Sequence, residues 1–322
     1  MEDNDFVYAV ARIRSKEPDL LSASFMEQLL TAKDEGESLR LLNERGWGMD
    51  GQRAAEILRS EQAKTWDLMA ELMGERIHIL NVFRCENDFH NLKAAIKDAC
   101  SEQKIEGIFV DGGTVPETLI RAAAENQDFS LLPHWMSDVG KAASELLLKT
   151  GDGQLCDCVL DRAALEQIRE AGEASGEEMI RSYAELRCAS GNIKIAVRSC
   201  RAGKDRAFME RALLECRSVS KARLLDAAEI GLEAICSYLE HTAYREAVEE
   251  LKKSASAFER WCDNAVIQSI RPQLRNSFGP GPLAAFVLAR ENELKTVRII
   301  LSGQRNGLPE QVIRERVRET YV

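Results

Sequence analysis

The sequence predicts an all-α protein, and three observations predict it. Apolar residues recur at the spacing of one helical face along most of the chain. Helix start and stop signals bracket those runs. No convincing run of strand alternation occurs, and the alternating helix and strand rhythm of a parallel sheet is absent. One helical pattern also returns twice. Leu92, Ala95, Ile96 and Ala99 stand at i, i+3, i+4 and i+7 in the stretch from Asp88 to Lys97. A shift of 101 residues meets Ile193, Ala196, Val197 and Cys200, and a second equal shift meets Leu294, Val297, Arg298 and Leu301. Only Arg298 breaks the apolar face. Beside the face stand Lys93, Lys194 and Lys295. A period near a third of the chain predicts three copies of one unit.

In chain order, Phe6 to Arg14 opens as a helix with Phe6, Val10 and Ile13 on one side. Ser24-x-x-Glu27 and Asp34-x-x-Glu37 carry the capping-box pattern, and Gly46 is placed to end the second of these helices. Asp50 is a cap for a long helix bearing Ile57, Leu58, Met69 and Leu80. The Lys93 helix follows. The run Ile105 to Val110 reads as a strand or a buried loop, and Gly112-Gly113 punctuates it before a helix headed by Pro116. Pro309-Glu310-Gln311-Val312-Ile313-Arg314 echoes Pro116-Glu117-Thr118-Leu119-Ile120-Arg121, with Asp205 to Met209 as the middle counterpart.

The middle unit starts near Gln127. Leu131 to Leu148 reads as helical and stops at Gly151-Asp152-Gly153. Asp161 is a cap for the next helix, Gly172 and Gly176 interrupt it, and Met179 to Leu186 precedes the Lys194 helix. In the last unit a long polar-faced helix runs from Tyr244 to Gln268, and Pro272 with Gly279-Pro280-Gly281-Pro282 marks a loop before the Lys295 helix. The boundaries are therefore 1–126, 127–217 and 218–322. Bundles of roughly 100 residues gain by packing on one another, which favours one closed assembly.

The chain has 322 residues, 45% of them apolar and 30% charged, with a net charge of −10. That balance argues against nucleic acid as the partner, which calls for a basic footprint. No stretch reaches the 18 or so apolar residues of a membrane span. The acidic start, Met1 to Asp5, lacks the apolar core of a secretion signal. Nine scattered cysteines, Cys100 and Cys200 among them at helical apolar positions, read as buried reduced thiols, which suit a cytosolic compartment. Cys156-x-Cys158 is spaced too closely for a zinc pair.

Catalytic signatures are missing. There is no Gly-x-x-x-x-Gly-Lys-Ser/Thr phosphate loop and no Gly-x-Gly-x-x-Gly after a strand, and His78, His90, His134 and His241 stand far apart. His90 is the best candidate for a special role; its ordinary reading is a polar anchor at a helix start. Arg305, Arg314, Arg316 and Arg318 cluster near the C-terminus, as a solvated helix face or an interaction face. No catalytic residue, cofactor site or metal site is expected. A cytosolic all-α enzyme with a site assembled from distant residues, or a helical scaffold, remains the alternative.

The motifs Asp88-Phe89-His90-Asn91-Leu92-Lys93, Asn192-Ile193-Lys194 and Glu291-Asn292-Glu293-Leu294-Lys295 resemble the C-type subunits of bacterial and archaeal V/A-type ATPases, relatives of the eukaryotic d-type subunits. The opening Tyr8 to Arg14 with Leu20-Leu21 also resembles that family, as does the finish from Arg298 through Gly307-Leu308-Pro309-Glu310 to Tyr321-Val322. The middle unit departs from the pattern with Ala189-Ser190-Gly191, so no role of His90 carries over to it. The resemblance implies three similar helical-bundle units about a pseudo-threefold axis, shaped like a funnel. It implies a non-catalytic, monomeric rotor subunit within a hetero-oligomeric complex. Its partners would be the central shaft subunits (D/F type) and the membrane proteolipid ring. Its place would be cytoplasmic and peripheral to the membrane. Lys93, Lys194 and Lys295, with Arg314 and Arg316, are the candidate partner contacts. The alternative for each lysine is a stem laid over its own helix with a solvated head.

Overall fold

The computed structural model describes residues 6–101 and 107–322. Among them every regular element is helical. The α-helices are α1 Val7–Lys16, α2 Ala23–Thr31, α3 Glu35–Glu44, α4 Ala54–Met73, α5 Cys85–Ala99, α6 Glu117–Asn126, α7 His134–Thr150 and α8 Gly153–Ala174. They continue as α9 Glu178–Arg201, α10 Arg206–Ala212, α11 Lys221–Ile230, α12 Leu232–Leu239, α13 Ala247–Lys253, α14 Ala255–Ile270, α15 Gly281–Arg305 and α16 Glu310–Arg314. The all-α expectation holds.

The caps show why these helices begin and end where they do. Asp34 accepts from Glu37 N at 3.0 Å, and Glu37 reaches back to Lys33 N at 2.7 Å. Gly46, with φ at +81°, closes α3: its N–H reaches Asn43 O and the Trp47 N–H reaches Leu42 O. The cap of α2 is Ser22, which accepts from Phe25 N, because Ser24 lies already inside the helix. Asp50 takes a hydrogen bond from Asn43, and Glu56 anchors the start of α4 by accepting from Arg53 N at 3.0 Å. Asp161 is no cap; Asp152 starts α8 by accepting from Gln154 N and Leu155 N, and Asp161 lies mid-helix. Each such side chain stabilises its helix by about 1 kcal/mol.

Three breaks expected from glycine and proline differ. Gly172 stays inside α8, because a Cβ there would stand 2.5 Å from the Ala184 Cβ of α9; the glycine is a close helix crossing. Gly176, with φ at +68°, is the true separator. Gly191 also sits within a helix, against Leu165, so the Met179 segment and the Lys194 segment are one helix, α9. The expected Tyr244 to Gln268 helix is broken at Ser254, which caps α14 by accepting from Ala257 N at 3.0 Å. Gly281 and Pro282 form the first turn of α15, where proline's missing N–H is harmless.

The chain groups into two compact units, Met1–His78 with Glu249–Val322, and Ile79–Val248. In the first, α15 packs against α4, α1, α14 and α3. Its core joins Phe25, Leu29, Leu42 and Ile57 to Val297 and Ile300. In the second, α8 lies along α7 and α9, and α5 lies against α6 and α8. Its core joins Leu92, Ile96, Ile120, Phe129, Met136 and Leu160. The recurring apolar face is therefore core: Leu92, Ala95, Ile96, Ile193, Ala196, Val197, Leu294, Val297 and Leu301 are all buried, while Arg298 is exposed. These two units follow contacts between helices. The division at 126 and 217 follows repetition along the chain.

Candidate functional site

The Asp88 to Lys97 stretch forms most of α5, and its polar face holds a segment that has no regular structure. Ile105 and Glu106 lie outside the described residues, and the chain from Ile108 to Val115 forms no strand. Its backbone groups therefore need side-chain partners. The helix supplies them. His90 Nε2 donates to Ile108 O at 2.9 Å. Asn91 both donates to Val110 O and accepts from Val110 N, each at 2.9 Å. Asn87 donates to Asp111 O at 3.1 Å, and Arg84 donates to Gly112 O at 2.8 Å and to Gly113 O. Asp88 accepts from Thr114 N at 2.7 Å and Val115 N at 3.0 Å. Positions 84, 87, 88 and 91 share one helical face, so one stripe of side chains stitches the six residues from Val110 to Val115.

Gly113 belongs to this design. A Cβ there would stand 2.5 Å from Asp88 Oδ1. Burial pushes the Asp88 carboxyl upward, against the hydrogen bonds from Thr114 and Val115 and the charge of Arg84. His90 is thus placed as a polar anchor of this segment.

The same device recurs 101 residues on. Asn192, fully buried, donates to Leu214 O at 2.6 Å and accepts from Leu214 N at 3.0 Å. Glu185 accepts from Ser218 N at 2.7 Å and from Ser218 Oγ at 2.6 Å. A further 101 residues on stands Glu293, also buried, which accepts from Leu21 N at 2.5 Å. Its neighbour Asn292 donates to Glu319 O at 2.8 Å, and Glu319 N donates to Asn264 at 2.9 Å. The clamped segment precedes α6, whereas α10 and α16 precede their own clamped segments. The Pro116 and Pro309 helices are thus both capped by proline yet stand on opposite sides of the clamp.

Lys93, Lys194 and Lys295 are all half-buried. Lys93 Nζ pairs with Asp161 of α8. Lys295 Nζ pairs with Asp263 of α14 at 2.5 Å, and Arg318 shares that carboxylate at 3.0 Å. The C-terminal arginines separate by environment. Arg314 holds Glu27 and Glu310, each at 2.7 Å, and Arg305 pairs with Glu35. Arg318 is buried, contrary to a solvated face, because Asp263 compensates its charge. Arg316 is exposed. The structure does not bring Lys93 or Lys194 together with Arg314 in one compact unit.

One polar centre extends beyond the motifs, which contain Glu293 alone of its members. Arg290 on α15 is buried and donates to Glu61 of α4 and to Glu293, both at 2.8 Å. Its guanidinium lies 4.7 Å from the Trp47 ring centre. Burial pushes Glu293 up to about 7, although Arg290 and the Leu21 N–H favour its charged form. The sequence hint was a cationic and an acidic residue at i, i+3 directly after the apolar run Leu283 to Ala289.

Among the described residues no group of three or more metal-ligating side chains occurs. None of the nine cysteines forms a disulfide, and six are buried; Cys100 is exposed and Cys200 half-buried. Burial drives Cys85 and Cys188 up to about 12, far from the reactive thiolate. No helix among the described residues is long and apolar enough to cross a membrane.

Polar side chains of α5, α9 and α15 hold the chain's own backbone, and the fold they fasten is a helical framework. The chain belongs to the ATP synthase (C/AC39) subunit family, whose model matches residues 9–316. It is 26% identical to the C-type subunit of the V-type ATP synthase of Thermus thermophilus, over 98% of both chains. It is 25% identical to the C-type subunit of the V-type sodium ATPase of Enterococcus hirae, over 96% of this chain and 97% of the relative. The C-type subunit of the A-type ATP synthase of Methanocaldococcus jannaschii is 24% identical, over 96% of this chain and 85% of the relative. The resemblance carried by the Asp88 motif and its recurrences is thereby established. With it comes the role of that family in a V/A-type ATPase, which is structural and non-catalytic.

Proposed function

We propose that this chain is a central-stalk rotor subunit that links the shaft (D/F-type subunits) to the membrane proteolipid ring. It passes torque for ATP-coupled proton or sodium transport. The observation that carries the reading is the recurring clamp. Three long helices, α5, α9 and α15, each tie down an irregular segment through a polar residue at the same point of a 101-residue period: Asn91, Asn192 and Glu293. A coupling element has to resist shear, and fastening the segments between helices removes the softest parts of a bundle. Three units, 1–126, 127–217 and 218–322, arranged about a pseudo-threefold axis as a funnel, would offer three similar contacts to a ring.

Lys93, Lys194 and Lys295, with Arg314 and Arg316, are the proposed contacts to neighbouring subunits. The pairs with Asp161 and Asp263 would have to be exchanged for a partner's acceptors, so each lysine contributes modestly. The chain would lie on the cytoplasmic side, peripheral to the membrane and held there by its complex. Purification of the tagged chain from native membranes tests the main reading: shaft subunits and proteolipids should come with it. A native complex containing neither would overturn it. Alanine at each of the five basic positions, with ring binding measured at several salt concentrations, tests the contacts. Unchanged binding throughout would remove them.

A further inference from the structure

The Arg290 centre forms the inner wall of a cavity of about 480 Å³ in the unit made from the two ends of the chain. That volume falls within the range of small-molecule sites. Four cationic side chains line it, Lys16, Arg45, Lys64 and Arg290, against two carboxylates, Asp19 and Glu61. Compensation among them is uneven. Lys64 and Arg290 are held by Glu61 at 2.5 and 2.8 Å. Lys16 has only a long, exposed contact to Asp19 at 3.4 Å. Among the described residues no carboxylate pairs with Arg45; its guanidinium lies 4.9 Å from the Phe25 ring centre. The two least compensated cations are exposed, and the most compensated one is buried. A recess with surplus charge of one sign and low-dielectric walls concentrates counter-ions. Those walls exist here: Trp47 and Phe286 are buried, and Leu20 and Leu68 complete the apolar side.

We propose that this cavity binds a small organic anion, its phosphate or carboxylate head held by Arg45 and Lys16 and its apolar body laid along Trp47 and Phe286. The fork of Arg45 suits a planar or tetrahedral oxyanion. Inorganic phosphate alone satisfies only the head and binds weakly.

Calorimetric titration of the isolated full-length chain at low salt tests it with three probes: inorganic phosphate, adenosine monophosphate and benzoate. At least one organic probe should bind saturably and at least tenfold more tightly than inorganic phosphate. Arg45→Ala with Lys16→Ala should weaken that binding at least tenfold, and both positions are exposed, so the fold survives, as circular dichroism would verify. The organic probe that binds tells phosphate ester from carboxylate. No saturable binding by either organic probe would overturn the proposal, as would binding indifferent to the double variant. Inorganic phosphate binding as tightly as the organic probes would overturn the assignment of an apolar body.

Discussion

Arg290→Met removes the one cation shared by two buried carboxylates. Glu61 keeps Lys64 at 2.5 Å, whose head reaches solvent. Glu293 keeps only the Leu21 N–H at 2.5 Å and remains buried. Breaking a buried pair by removing one partner costs about 3–5 kcal/mol, because a charge is left uncompensated. Here most of that cost falls on Glu293, and it depends on pH. Glu293 titrates near 7 in the intact protein, so at pH 5.5 it is mostly protonated and owes little to the Arg290 charge. At pH 8.5 it is ionised and paired in the parent, whereas in the variant it must be buried unpaired or held protonated. Holding a proton costs about 1.4 kcal/mol for each pH unit above the pKa. The variant's loss of stability should therefore grow by about 1–3 kcal/mol between pH 5.5 and 8.5. Urea unfolding followed by circular dichroism at the two pH values measures it. A loss below about 1 kcal/mol at pH 8.5, or one equal at both pH values, would refute the reasoning.

Three further outcomes are expected. Glu293→Gln keeps an acceptor for Leu21 N–H and removes the titration. The parent carboxyl is raised by burial, so its contribution to stability is complete below about pH 4 and is lost as pH rises through 7; the variant's unfolding free energy should lack that decline, and a decline of equal size would contradict it. Asn91→Ala and Asn192→Ala each strand a backbone N–H and C=O, at about 2–3 kcal/mol; amide exchange at Val110 or Leu214 should accelerate locally in the matching variant, and unchanged protection would count against the clamp. Gly113→Ala drives a methyl group to 2.5 Å from Asp88 Oδ1, so the segment must shift at about 1–3 kcal/mol, with a lower melting temperature; the variant Asp88→Ala/Gly113→Ala should show less than the sum of the two single losses.

The recurrence was legible because burial writes itself at helical spacing: Leu92, Ile193 and Leu294 are apolar for the same reason, a core to fill. A second recurring point lies two residues before the recurring lysines. Lys93, Lys194 and Lys295 are invariant in type, which draws the eye. The position that does the same work each time holds Asn91, Asn192 and Glu293, two residue types joined by what they accept from a backbone. The partners Val110, Leu214 and Leu21 lie 19 residues after, 22 after and 272 before their clamps, and no local pattern encodes such distances. Gly172 and Gly191 misled because space is a tertiary property: glycine at a crossing and glycine at a break look alike in one dimension. Asp161 misled for the opposite reason, since its interaction with Lys93 is a contact between helices and owes nothing to the turn around it.

The stitched segment from Ile108 to Val115 has a consequence for association. A bare extended backbone at a protein surface is a template on which another chain can add itself, hydrogen bond by hydrogen bond. At Val110, Asp111, Gly112 and Thr114 the groups that would recruit such a visitor are already engaged by Asn91, Asn87, Arg84 and Asp88. Half-exposed apolar side chains such as Val110 can therefore face outward without inviting strand growth. A helix that occupies these amides and carbonyls protects an all-α protein, crowded among neighbours, from sticking by its loops.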